Sequence, residues 1–324
     1  MSQSSIRHDW KPNTSRSDLI TRAEMLANIR HFFRQRKVIE VDTPSLSQGT
    51  VTDVYLEPMS SHCHCLDMGE RLLYLQTSPE FAMKRLLAAG SGCIYQICRA
   101  FRDDEMGRLH NPEFLMLEWY RVGFNHLQLM SEMDQLLSLI LGTKPADVVS
   151  YQQLFIEHIQ IDPLDATDKQ LQELVTEKAN GPVLADREQL LQCLFSTLIE
   201  PNLAPEKPLI ICDFPASQSA LARLSETDPR VADRFEVYYQ GIELANGFHE
   251  LKDETEQRKR FIADNQQRRK LNKKEKPLDE RFLAALNAGL PDCAGVALGL
   301  DRLLMLKLNK QSISEVMPFP LYKA

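Results

Sequence analysis

Two stretches of this chain carry side chains whose types and spacing point to chemistry. The first reads Phe101-Arg102-Asp103-Asp104-Glu105, then a short basic turn, then His110-Asn111-Pro112-Glu113-Phe114-Leu115-Met116-Leu117-Glu118-Trp119-Tyr120. Side chains of a strand alternate between its faces, so Phe114, Met116, Glu118 and Tyr120 share one face and Leu115, Leu117 and Trp119 the other. The second face reads as core. The first carries a carboxylate and a phenol where a buried strand normally carries Val or Ile. An unpaired buried carboxylate costs several kcal/mol, so Glu118 requires a cationic partner, supplied by the protein or by a ligand.

The second stretch, Glu243-Leu244-Ala245-Asn246-Gly247-Phe248-His249-Glu250, places Asn246, Phe248 and Glu250 on one face by the same alternation. Glu236 and Glu243 flank a Gln240-Gly241 turn, so a hairpin brings them near each other. Two close carboxylates repel unless a cation or a proton lies between them. Mg²⁺, with its preference for oxygen, suits that place beside a nucleotide. Together the two stretches predict an acidic pocket next to a phosphate site.

The elements that must position these groups are mixed. Leu19, Ala23, Leu26, Ile29, Phe32 and Phe33 recur at helical spacing and predict a helix over 19–36. A short β segment at 38–41 then leads into Asp42-Thr43-Pro44. Further strands are predicted at 72–76, 94–98, 114–120, 235–239 and 242–249, with helices at 80–89 and 127–141. This mixture predicts an α+β domain over 19–324, built on an antiparallel sheet flanked by helices. Residues 1–18 are polar and are expected to be poorly ordered. Leu171, Leu174 and Val175, then Leu190, Leu191, Leu194 and Leu198, form apolar stripes that predict a helical insertion near 151–203. A polar helix over 255–276 ends in the basic run Arg268, Arg269, Lys270, Lys273, Lys274 and Lys276. That run reads as a solvated face, with contact to a protein or RNA partner as the alternative.

Composition sets the outer bounds. The 324 residues are 43% hydrophobic and 26% charged, which is ordinary globular usage. Apolar runs such as 303–306 are too short to cross a bilayer, and residues 1–11 lack an apolar signal-peptide core, so a cytoplasmic protein without a membrane is expected. The net charge of −7 argues against indiscriminate adherence to nucleic acid. Seven cysteines without disulfide-like spacing read as reduced thiols. The cluster His62, Cys63, His64, Cys65 lacks a second ligand pair at finger spacing; it reads as a solvent-facing hairpin tip.

These motifs resemble class II aminoacyl-tRNA synthetases, most closely the lysyl-tRNA synthetase subgroup, from about Leu19 to Pro320. Motif 1 looks like the 19–36 helix running to Pro44, the element through which these enzymes form homodimers. Motif 2 is similar to Phe101 through Asp104 followed by His110 through Glu118. Motif 3 looks like Gly295-Val296-Ala297-Leu298-Gly299-Leu300-Asp301-Arg302. The resemblance implies ATP and Mg²⁺ as cofactors and assigns roles residue by residue. Arg102 would hold the α-phosphate and stabilise charge developing there. Phe114 would stack under the adenine with Arg302 above it. Asp104 takes the acidic position that contacts the adenine amino group, with Asp where lysyl enzymes usually carry Glu. Asp103, His110, Asn111 and Leu244 would lie along the nucleotide, and Gly299 would let backbone approach it. Glu236 and Glu243 match the Mg²⁺-holding carboxylates, so Arg102, Glu243 and Arg302 are the expected catalytic groups.

For the amino acid, the resemblance implicates Ser78, Pro79 and Glu80 within Thr77-Ser78-Pro79-Glu80, together with Glu118, Tyr120, Asn246, Phe248, Glu250 and Ala297. An ammonium has three donors and no acceptor; carboxylates, a phenol and an amide supply what it needs. Glu105, Arg108 and Glu113 read equally as ligand groups or as halves of internal ion pairs.

Two departures from lysyl enzymes narrow the expectation. The motif 1 helix begins so early that the N-terminal OB-fold, which grips the anticodon, is expected to be missing, and tRNA charging with it. Motif 3 carries Ala297 where lysyl enzymes carry glycine, and Ala245 likewise stands where many have glycine. One methyl group at a pocket wall can favour a shifted amino group. Both departures are similar to the short lysyl-synthetase paralogues that modify elongation factor P, a resemblance that also covers Phe214-Pro215-Ala216-Ser217-Gln218. It implies activation of (R)-β-lysine as its adenylate and transfer to a lysine ε-amino group of elongation factor P. The alternatives are an asparagine-synthetase-like ligase, whose pocket would need the opposite charge, and an inactive regulatory paralogue.

Overall fold

The computed structural model describes residues 10–65, 69–103, 105–184, 186–203 and 206–324. The chain begins with α1 (Arg16–Gln35), β1 (Ile39–Glu40), β2 (Leu46–Ser47), β3 (Ser60–Cys65), β4 (Gly69–Leu75) and α2 (Glu80–Ala88). Then come β5 (Ile94–Phe101), β6 (Glu113–Val122), α3 (His126–Leu141), β7 (Asp147–Ser150), α4 (Tyr151–Ile159), α5 (Asp168–Glu177) and α6 (Arg187–Leu194). The remainder holds β8 (Leu209–Pro215), β9 (Val231–Tyr239), β10 (Ile242–His249), α7 (Glu254–Lys270), α8 (Glu280–Gly289), β11 (Cys293–Gly299) and α9 (Leu300–Lys307). The expectation for 1–18 falls partly on residues 1–9, outside the described residues.

The fold is α+β, and its main sheet is mixed. Eight strands run in the order β1-β5-β6-β11-β10-β9-β8-β7, and β2-β4-β3 form a small second sheet. The expected antiparallel sheet is corrected at two places: β1 pairs parallel with β5, and β7 pairs parallel with β8. Parallel neighbours need a long crossover; here it is supplied by the segments that contain β2–α2 and α4–α6. Of the main-sheet strands, β7, β8 and β11 were not predicted, nor was helix α8. The chain divides into two compact units. One comprises Met1–Val122, Lys252–Pro291 and Ala297–Ala324; the other comprises Gly123–Leu251 and Asp292–Val296.

In the first unit, α1 starts at Arg16 because Ser15 and Asp18 form a reciprocal capping box. Its apolar stripe buries Met25, Ile29, Phe32 and Phe33. Phe33 stacks on Tyr95 with ring centroids 4.4 Å apart and meets Trp119 edge-on at 5.3 Å. This pins α1 against the β5–β6 hairpin. Burying four such side chains stabilises the unit by roughly 6–12 kcal/mol before entropy is counted. Phe81 of α2 stacks on Phe282 of α8 at 4.4 Å, and this contact fixes the helix that carries Glu80.

In the basic run near the end of α7, Arg269, Lys270, Lys273 and Lys274 are exposed, as the solvated-face reading expects, and Arg268 and Lys276 correct it. Arg268 is fully buried and donates to the carbonyls of Asp53 and Lys274 and to the Glu57 carboxylate. Lys276 pairs with the same carboxylate, and Lys273 donates to the Val54 carbonyl. Arg268 and Lys276, from inside, and the exposed Lys273 tie the 53–57 loop to the end of α7. Charge alone did not separate the two cases.

The second unit has its own core, with Tyr151, Phe155, Phe195, Phe214 and Tyr238 packed together and Leu171, Val175, Leu190, Leu191 and Leu194 buried against them. The β9–β10 hairpin turns at Gln240 (φ 52°) and Gly241 (φ 69°), both left-handed, and pairs Tyr239 with Ile242. That is the two-residue turn whose twist suits a hairpin.

Candidate active site

In the first unit, β5 and β6 pair so that Ile94, Gln96, Cys98 and Ala100 stand opposite Tyr120, Glu118, Met116 and Phe114. The predicted chemical face of β6 therefore exists, and β5 extends it with an amide and a thiol. Glu118 is 2% exposed. Its Oε2 accepts from Ser78 Oγ at 2.7 Å, and its Oε1 accepts from the Tyr120 hydroxyl at 2.6 Å. Ser78 also accepts from the backbone N–H of Glu80 at 3.1 Å, opening α2. Buried Pro79 precedes Glu80 as the helix N-cap.

One helical turn on, the fully buried Lys84 places Nζ 2.6 Å from Glu80 Oε1. It also lies over the Phe282 ring at 5.7 Å. Two carboxylates and one ammonium leave this cluster with a formal charge of −1. Burial, and then the Glu80 charge, push the Glu118 carboxyl up to about 7. A second ammonium would cancel the excess. Lys84 was missed in the sequence, although its position four residues after Glu80 on one helix was a readable signal.

The motif 2 residues form a second group in the same unit. The Arg102 guanidinium lies over the Phe114 ring at 5.0 Å and within 3.8 Å of Glu105. Its buried Nε has no hydrogen-bond partner among the described residues. Arg302 at the start of α9 donates to the Leu109 carbonyl at 3.2 Å and meets His110 Nε2 at 2.8 Å. Asp103 is exposed, with its backbone N–H held by the Glu57 carbonyl. Asp104 lies outside the described residues. Asn111 donates to the Glu113 carbonyl at 2.6 Å and accepts from the Leu321 N–H at 3.2 Å, so backbone engages both ends of its amide. Glu105 and Glu113 sit in ion pairs with Arg102 and Arg99, and Arg108 donates to the Gln311 carbonyl.

Asp301, buried beside Arg302, accepts from the Leu115 N–H at 2.7 Å and lies 3.8 Å from Arg22 of α1. It ties α9 to β6 and so sets where Arg302 starts. Burial raises its carboxyl above the usual range. Gly299 caps α9, and Ala297 is half-buried in β11.

The second unit carries the other predicted residues. Strict alternation would put Glu243 and Asn246 on opposite faces, but the β9–β10 register shifts between Glu243 and Ala245. The bulge restores both to one face: Glu243 stands opposite Tyr238, Asn246 opposite Glu236 and Phe248 opposite Arg234. Glu243, Asn246 and Phe248 are accordingly half-buried, while Leu244, Ala245 and His249 are buried behind them. Gly247 is required there, because a Cβ would fall 2.4 Å from Phe235 Cζ.

Arg234 is the residue that sequence reading missed here. It pairs with Glu236 Oε1, donates to Asn246 Oδ1 at 3.3 Å and to the Gln218 carbonyl at 2.6 Å, and lies 4.5 Å over Phe214. The Tyr238 hydroxyl donates to Glu236 Oε2 at 2.8 Å. Burial and the charge of Glu243 nonetheless keep the Glu236 carboxyl raised. Two carboxylates on one face are an oxygen donor set that fits Mg²⁺. Glu250 is buried after the strand.

Of the other metal-capable groups, the His62 cluster forms a hairpin as expected, with His62 Nδ1 2.9 Å from Glu70 and both exposed. The hairpin tip, 66–68, lies outside the described residues. His126, Asp233 and His249 come together among the described residues, but the Arg223 guanidinium already neutralises Asp233 at 2.7 Å. No described helix is long and apolar enough to cross a membrane.

Comparison with known proteins adds what geometry alone does not carry. Residues 5–323 match the family model described as tRNA synthetases class II (D, K and N). The chain is similar to the elongation factor P–(R)-β-lysine ligase of Edwardsiella ictaluri (strain 93-146), 51% identical over 97% of this chain and 98% of that protein. It is 52% identical to the ligase of the same name from Proteus mirabilis (strain HI4320), over 98% of both. Against the one from Salmonella typhi, identity is 50% over 97% of this chain and 98% of the other.

Proposed function

The chain belongs to the class II tRNA synthetase family, and from that membership we propose that it activates (R)-β-lysine with ATP and transfers it to a lysine side chain of elongation factor P. The observation that carries this reading is the likeness to ligases named for that reaction, near half identity along essentially the whole of both chains. The Glu80–Lys84–Glu118 cluster supports the substrate class. Its uncompensated negative charge calls for an ammonium, whereas an aspartate side chain would add a further negative charge.

In the first step, the amino acid carboxylate attacks the α-phosphorus of ATP. The bond to the β-phosphate oxygen breaks, and pyrophosphate leaves. Arg102, with a buried N–H still available, stabilises the charge that grows on the α-phosphate. Phe114 offers the adenine a ring face, and Arg302, with His110 and Gly299, serves the nucleotide; family membership assigns Asp103, Asp104 and Leu244 to it as well. Asn111 acts by holding the motif 2 backbone. Glu243 and Glu236 would hold Mg²⁺, which supplies positive charge for the phosphates when bound. In the second step, the acceptor lysine nitrogen attacks the carbonyl carbon of the adenylate. AMP leaves, and the nitrogen gives up a proton.

Ser78, Pro79, Glu80, Glu118 and Tyr120 receive the amino acid's charged end, and Asn246, Phe248, Glu250 and Ala297 complete its recognition. A homodimer through α1 fits the exposure of Leu19 and Ile20 on that helix. ATP–pyrophosphate exchange with (R)-β-lysine, α-lysine and aspartate tests the activation step. The expected order is β-lysine first, α-lysine weaker and aspartate silent. Exchange with aspartate alone would overturn the reading.

A further inference from the structure

Gln96 stands directly opposite Glu118 across the β5–β6 pair, on the face that carries Glu118 and Tyr120. It is 1% exposed, and neither its Oε1 nor its Nε2 has a hydrogen-bond partner among the described residues. Natural proteins pair the great majority of buried polar atoms. A whole unpartnered amide in the interior is therefore a cost that an apolar side chain of the same shape would avoid. The other side chains of this face do not relieve it. Ile94 and Ala100 are apolar, Glu118 receives Ser78 and Tyr120, and the Cys98 thiol, close enough to interact with the amide, is a weak hydrogen-bonding group.

The neighbourhood says what would satisfy it. Glu80 and Glu118 already exceed Lys84 by one negative charge, and burial holds Glu118 at the edge of ionisation. A third carboxylate at position 96 would deepen that repulsion. An amide instead adds an acceptor oxygen without adding charge. A group with several N–H donors and a positive charge fits this arrangement; a neutral apolar side chain does not.

We propose that Gln96 is a specificity-determining residue that accepts a hydrogen bond from an ammonium group of the diamino acid substrate, beside Glu118. This deepens the function proposed above and rests on it. Gln96 is the neutral member of the recognition set, and it counts the substrate's donors where the carboxylates read its charge. The first unit alone supplies Ser78, Glu80, Gln96, Glu118 and Tyr120, so the amide and the charged groups sit on one paired set of strands and the helix beside it.

The test compares wild type, Gln96→Met and Gln96→Glu in pyrophosphate exchange with (R)-β-lysine and α-lysine. The Met variant keeps the length but removes every donor and acceptor. It should raise the amino acid KM ten- to hundred-fold and leave the ATP KM within two-fold. Its melting temperature should hold or rise, because an unpaired buried amide has gone; a purely structural amide would predict a fall. The Glu variant keeps an acceptor oxygen, and the bound ammonium offsets the repulsion that its charge adds to the free site, so its amino acid KM should stay within about five-fold of wild type while its melting temperature falls; this preserves the test if the Met protein folds badly. A Met variant with unchanged amino acid KM, or equal losses in both variants, would overturn the inference while leaving the proposed function standing. Wild type that activates neither lysine isomer would overturn both.

Discussion

The fully buried ammonium of Lys84 lies 2.6 Å from Oε1 of Glu80, four residues earlier on α2. Among the described residues it neutralises one of the two carboxylates, Glu80 and Glu118, that the cluster holds. Breaking a buried pair by removing one partner is far more costly than replacing both. Lys84→Met is expected to destabilise the protein by on the order of 3 kcal/mol. Lys84→Met with Glu80→Gln should recover most of that loss. Chemical denaturation of the three proteins checks this, and an additive double variant would count against a coupled pair.

Glu118 makes amino acid recognition depend on pH. Its carboxyl is pushed up to about 7 by burial and by Glu80, so it is largely protonated at pH 6 and largely ionised at pH 8. A raised carboxyl stabilises the fold below its ordinary pKa, and that contribution is lost as pH rises through about 7. Ligand binding has the opposite sign, because an ammonium favours the ionised form. Affinity for the diamino acid should rise from pH 6 to pH 8, with proton release on binding near pH 6.5. Calorimetry in buffers of differing ionisation heat measures both, and Glu118→Gln should flatten the profile. A flat wild-type profile would contradict the assignment.

Gly247 separates backbone demands from chemical ones. A methyl group there would meet Phe235 Cζ at 2.4 Å and Val296 Cβ at 3.0 Å. Neither neighbour is a flexible chain end, so Gly247→Ala should cost about 1–3 kcal/mol and disturb Asn246 and Phe248 on either side. Thermal melts should register the loss. Unchanged stability would mean that β9 and β10 have slack the packing does not suggest.

Arg102 should behave in the reverse way. Its ion pair with Glu105 is long at 3.8 Å and partly exposed, so Arg102→Ala should cost less than about 1 kcal/mol of stability. Adenylate formation should fall roughly 10²–10³-fold, as when a charge-stabilising donor is removed. A folded Arg102→Ala protein with near-normal pyrophosphate exchange would remove Arg102 from the catalytic set.

Much of this was legible in the sequence because alternation is local. The face of Phe114, Met116, Glu118 and Tyr120 follows from a period of two, and the Gln240-Gly241 turn from residues that tolerate positive φ. What escaped depends on facts that periodicity does not carry. The bulge after Glu243 places Glu243 and Asn246 on one face, which strict alternation forbids. Lys84, Arg234 and Arg268 are cations whose burial is decided by distant partners, so composition read Arg268 as solvated when it staples a loop. The parallel edges of the sheet arise from crossovers that bring segments far apart in the chain side by side. Gln96 drew no notice in a strand-like run, and only its register against Glu118 makes it a candidate.

The proposed function is tested most directly by the mass of elongation factor P after incubation with the enzyme, ATP, Mg²⁺ and (R)-β-lysine. The prediction is a gain of one β-lysyl group on a single lysine, with one AMP and one pyrophosphate formed per modification and none when ATP is omitted. Unmodified elongation factor P under those conditions, with an enzyme that still exchanges pyrophosphate with (R)-β-lysine, would contradict the acceptor. Absence of exchange as well would contradict the activation chemistry itself.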